Sequence, residues 1–192
     1  MLPFPIAALP EMVVPGSESF TTPGTFQFTV PEYNALTVTV RGGGGQGFGL
    51  APGYNGGNSS FNGNVIAYGG QAATEALGAG GGASSGDQNY TGGPGGSSQP
   101  LTGGAGGAGA NGGGAGGTGN AGAGNAPGGG GAGSVIFFTG MPGGGGGGCA
   151  VKTYHGELSV GAQITVVVGD GGNLVTGAGG RGARGQIDIS WN

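Results

Sequence analysis

The chain has 192 residues, 58 of them glycine; 35% are hydrophobic, only 6% are charged, and the net charge is -4. An acidic balance with no basic run excludes binding through neutralised nucleic-acid phosphates. A single cysteine, Cys149, excludes an intrachain disulfide and a cysteine-based metal site and reads as a small buried residue.

Residues 1–16 form an apolar stretch punctuated by proline. It has no positively charged start, so it does not read as a signal peptide, and no apolar run here is long enough to span a membrane. It reads as an extended arm that docks on something else, with Leu2, Phe4, Ile6 and Leu9 as its contacts.

Residues 17–41 carry two alternating runs, Phe26, Phe28, Val30 and then Leu36, Val38, Val40, which is the pattern of half-buried strands. Pro31 to Asn34 separate them as a turn, and the spacing predicts a hairpin.

Residues 42–150 are glycine runs broken by short polar or apolar segments. In the stretch 103–133 hardly a side chain exceeds a methyl group, so order there must come from backbone meeting backbone. Gly104, Gly107, Gly113, Gly116, Gly119, Gly122, Gly128 and Gly131 share a three-residue register, interrupted by Ala110 and Asn125. That is the period of a polyproline-II helix, whose N–H and C=O groups all point outward. Collagen is excluded, because the register breaks and the stretch holds one proline, Pro127. The expectation is a bundle of polyglycine-II rods, each about 25 Å long at about 3.1 Å per residue. The chain should turn back at Asn111, Asn120 and Asn125 to Pro127.

Within this region Asn58 to Tyr68 reads as a short strand or an irregular loop. The apolar block Ser134 to Pro142 reads as a strand buried against the bundle flank; the alternative is an exposed apolar tip. Tyr54 and Tyr90 are single aromatics in polar glycine loops, where an amphipathic ring suits a contact with a partner.

Residues 151–192 mirror the start. A strand is expected through Leu158 and Val160 up to a break at Gly161-Ala162, and two more follow, on Ile164, Val166, Val168 and on Ile187, Ile189, Trp191. The whole is expected to be all-β with essentially no α-helix: a small antiparallel sheet or sandwich from 17–41 and 151–192, with the bundle of 42–150 projecting between them.

Catalytic chemistry finds no footing. His155 is the only histidine and no nucleophile is singled out to accompany it. The carboxylates are scattered singly, with no metal-loop spacing, and GxGxxG recurs only because glycine does. Arg181 and Arg184 resemble an RGG segment but sit in an acidic chain, where pairing with local acids or carbonyls is expected. The expectation is a non-enzyme without cofactor or metal.

The segments SFTTPGTFQFTVPEYNALTVTVRGGGGQG, NSSFNGNVIAYGG, GGGGGGCAVKTYHGELSVGAQITVVVGDGG and GQIDISW together resemble the glycine-rich domain of bacteriophage tail fibres, over roughly residues 17–192. The glycine runs also look like those of small tail-fibre-tip adhesins, whose polyglycine-II rods are joined by receptor-reading loops. The resemblance implies a virion protein whose loops contact a host surface protein or glycan, with Tyr54, Tyr90, Phe137 and Phe138 as contacts. The arm would join other virion proteins through Leu2, Phe4, Ile6 and Leu9, and fibres suggest a trimer by analogy. A purely structural virion role, as capsid decoration or fibre component, is the alternative. Some small antifreeze proteins share such flat bundles, but they usually carry disulfides, which this chain cannot form.

Overall fold

The computed structural model describes residues 13–173 and 179–192; Leu2, Phe4, Ile6 and Leu9 lie outside them. The described residues are all-β and antiparallel, and no helix among them is long and apolar enough to cross a membrane. One sheet runs, in spatial order, β1 (Gly16–Phe20), β12 (Gln186–Trp191), β3 (Leu36–Arg41), β10 (Cys149–Tyr154) and β7 (Gln88–Tyr90). The second runs β2 (Gly24–Thr29), β11 (Gln163–Val168), β4 (Ser59–Phe61), β5 (Val65–Ala67) and β6 (Ala83–Ser84). A short separate hairpin joins β8 (Val135–Ile136) to β9 (Thr139–Gly140).

The period-two pattern decides which faces are buried. Leu36, Val38 and Val40 of β3 and Ile187 and Ile189 of β12 point inward. They meet Phe28 of β2, Phe61 of β4, Val65 of β5 and Ile164 and Val166 of β11 across the sandwich. Tilted aromatic pairs cross this core, Phe28 with Trp191 at 6.0 Å and Phe61 with Tyr154 at 5.9 Å. Each such buried side chain contributes roughly 1.5–3 kcal/mol, so the apolar stabilisation is concentrated in the sandwich.

Two expectations are corrected here. The runs on β2 and β3 are not a hairpin: they lie in different sheets, and the strands that face β3 across the core are β4 and β5. Between them the chain changes sheet, with the Val30 amide bonded to Ala162 beside β11 and the amides of Asn34 and Ala35 bonded to Asn192 beside β12. Two strands with one apolar face each can share a core side by side or face to face, and alternation is the same in both. The strand expected through Leu158 and Val160 is instead β10, just before it. Leu158 is tied to Tyr33, whose hydroxyl accepts from its amide at 2.9 Å, while Val160 lies exposed in a turn with Gly161 at φ 79°.

The glycine region continues the strands of the sandwich. Arg41 faces Cys149 in the β3–β10 pair, and the next amides bond Gly42 to Gly148, Gly45 to Gly145 and Phe48 to Pro142 in the same register. The β3–β12 pair continues likewise through Gly44 to Ala183 and Gly47 to Gly180. The β7–β10 pair continues through Gly146 to Gly93 and Gly143 to Gly96. Bonds to one neighbour recur every third residue, so each run reaches several neighbours in turn, as a three-residue repeat with outward-pointing groups requires.

The six consecutive glycines Gly143–Gly148 occupy the centre. Their amides donate to the runs 93–96, 128–131 and 68–71, and their carbonyls accept from 42–45, 78–81 and 107–110. They are buried, as are 42–47 and 128–133. A Cβ on Gly145 would lie 1.9 Å from the carbonyl oxygen of Ala79, and on Gly146 2.0 Å from that of Ala108. Outer runs tolerate a methyl group on the one side in three that faces water, as at Ala105 and Ala108. The turns fall at residues 110–112, 119–121 and 126–128, where the sequence places them.

Candidate functional site

The molecule has two unlike ends. The described chain reaches the sandwich at Gly16, which pairs with Trp191; Trp191 in turn pairs with Leu36, the end of β3 farthest from the glycine runs. At the opposite end the runs are joined by loops 48–53, 73–77, 97–102 and 134–141. The Ser134 amide to Phe48 and the Leu101 amide to Phe138 tie three of them together, and the Ala73 amide bonds the Gln46 carbonyl.

These loops carry Leu50, Leu77, Leu101, Phe137 and Phe138, all exposed. Phe137 keeps 91% and Phe138 81% of its surface in solvent, so the apolar block 134–142 is an exposed tip and not a strand buried on the flank. Ile136 pairs with Thr139, leaving Phe137 and Phe138 as a two-residue hairpin loop at φ 47° and 66°. A turn with positive φ at both central residues favours Asn-Gly, because a Cβ crowds the backbone there. Leu101, at φ 64°, is a third bulky residue in the left-handed region at the same end. Glu75 is the one charged residue in these loops.

Beside the phenylalanines lies an open groove of about 310 Å³ lined by Ser98, Gln99, Pro100, Phe138, Thr139 and Gly140. Gly140 lets the 97–102 loop settle on β9: a Cβ there would lie 1.9 Å from the Thr102 carbonyl oxygen and 2.1 Å from that of Gln99. Gln99 and Thr102 bond each other through their backbones, at 3.4 and 3.2 Å.

The structure does not bring all four predicted contact residues together. Phe137 and Phe138 share the tip. Tyr54 is exposed on the flank, where its carbonyl accepts from the Gln46 amide. Tyr90 faces Cys149 at the junction with the sandwich, about 20 Å from the tip at about 3.1 Å per residue of the run between. Its hydroxyl is already bonded to Gln88 at 2.5 Å. Leu50, Leu77 and Leu101 were missed, although each is a lone large apolar residue in a polar or small-residue loop, the same signal that singles out the tyrosines.

The remaining polar groups serve the scaffold. Arg41 pairs with Asp188 at 2.7 Å, and the Arg184 Nε donates to the Thr21 carbonyl. The Asp87 carboxylate accepts from the Thr153 amide, which holds it below the usual carboxylate range, and also meets Lys152 at 3.5 Å. His155 is exposed. Among the described residues no three His, Cys, Asp or Glu side chains cluster in a way that could hold a metal ion.

Comparison with protein-family models, curated proteins and solved structures found no match to this chain.

Proposed function

We propose that this chain is a bacteriophage virion protein, a receptor-binding adhesin of the tail fibre or tail tip, whose loop end meets the host surface. The observation that carries the reading is the Phe137-Phe138 turn. Two bulky rings stand almost wholly in water, in a backbone conformation that costs on the order of 1–3 kcal/mol per residue. Asn-Gly would relieve that strain, so the rings are retained at the expense of stability, as contact residues are. The bipolar layout supports the same reading: the chain reaches the sandwich at the end opposite the tip, which suits an arm joined to other virion proteins. On this reading the glycine runs are polyglycine-II helices, a stiff backbone-bonded stalk that presents the loops, and their three-residue bonding period supports it.

The test is adsorption of virions carrying Phe137→Ser and Phe138→Ser to host cells. At least a tenfold loss of adsorption, with normal incorporation of the protein, is expected. Wild-type adsorption would remove the adhesin reading and leave a purely structural virion component.

A further inference from the structure

Resting on the reading of the loop end as the adhesive one, we propose that the groove between residues 98–100 and 138–140 binds a neutral glycan, with Phe138 as its stacking platform. A pyranose ring has an apolar C–H face and a rim of hydroxyls. The groove has the complementary pair, the exposed Phe138 ring beside Pro100, and Ser98, Gln99 and Thr139 around it. All three are exposed, so their polar groups are open to a ligand. The Gln99 amide carries donors and an acceptor together, which suits neighbouring sugar hydroxyls.

Charge and size narrow the ligand. No charged side chain lines the groove, so nothing in it offsets the desolvation of an anionic or cationic sugar. About 310 Å³ is at the small end of the range for small-molecule sites, about 300–1,000 Å³, which fits one sugar residue or the end of a short chain. A lipid would leave Ser98, Gln99 and Thr139 desolvated without partners. An extended peptide would need a free strand edge, but the amides of Gln99, Leu101 and Thr102 are already bonded within the tip.

The experiment follows amide and side-chain resonances of the full ¹⁵N-labelled chain during titration. The probes are the methyl glycosides of glucose, galactose, mannose, rhamnose, N-acetylglucosamine and N-acetylgalactosamine, with phosphatidylcholine vesicles as a parallel arm. The expected result is shifts confined to residues 98–101 and 138–140 with at least one sugar, and roughly tenfold weaker binding in both Gln99→Ala and Phe138→Ser. Both side chains are exposed, so unchanged thermal melts show that the fold is intact.

No shift with any of the sugars, shifts elsewhere on the chain, or binding only to the vesicles overturns the proposal. Adsorption lost in Phe138→Ser virions without any sugar response keeps the adhesin reading and removes the glycan. A sugar response lost in both variants while their virions adsorb normally keeps the groove and removes the adhesin reading.

Discussion

Phe137 and Phe138 are adjacent, both at positive φ, and together they form the whole loop of the β8–β9 hairpin. No buried contact holds them there, so the turn should be more stable without them. The double substitution Phe137→Asn, Phe138→Gly is expected to raise unfolding stability by roughly 1–3 kcal/mol. The same variant should lose tip binding. Denaturant unfolding of the isolated protein measures the first effect, and unchanged or lower stability would show that the turn is not strained.

The centre of the glycine region should be intolerant of a single methyl group. Gly145→Ala places a Cβ 1.9 Å from a backbone carbonyl oxygen, with other runs packed all round it. A loss above about 4 kcal/mol is expected, the range reached when a packed interior is forced apart. Gly82→Ala is the control: its Cβ would meet nothing within 4 Å. It should be neutral or stabilising by about 0.4–1 kcal/mol, because alanine has less freedom to lose from the unfolded chain. Comparable melts for the two variants would contradict the packing.

Stability should fall at alkaline pH through Tyr154. Burial pushes its phenol up from 10.0 to about 12, and its hydroxyl has no partner among the described residues. The folded chain therefore keeps the proton that the unfolded chain releases. The contribution is fully present below about pH 10 and is lost as pH rises toward about 12, on the order of 2 kcal/mol in all. Tyr154→Phe should abolish that loss and gain about 1 kcal/mol at neutral pH by removing an unsatisfied hydroxyl. Denaturation curves at about pH 8 and about pH 11 for both proteins decide it; parallel losses in the two would assign the alkaline effect to other groups.

Asp188 ties three strands of one sheet at the junction with the glycine runs. Its carboxylate accepts from Arg41 at 2.7 Å, from Ser19 at 2.8 Å and from Gln186 at 2.8 Å. Asp188→Ala leaves the half-buried Arg41 guanidinium with only the Asn111 carbonyl among the described residues, and a loss of roughly 1–3 kcal/mol is expected. Hydrogen exchange should quicken first at β1, the edge strand held by this carboxylate. Uniform quickening across the sandwich would instead mark a global effect.

The sequence by itself determined what repeats locally. Alternation on Leu36, Val38, Val40 and on Ile164, Val166, Val168 marks strands, because side chains of a strand alternate between faces whatever it pairs with. Asn111, Asn120 and Pro127 mark turns through their own backbone preferences. Only the tertiary structure decided what depends on partners distant in sequence. Whether β2 and β3 pair or lie in different sheets is settled by Ala162 and Asn192, which receive the chain between them. The same bonding carries each strand register straight into the glycine runs. The tip, too, is a tertiary object. Leu101 and Phe138 lie far apart in the chain and meet only because runs bonded in register end together.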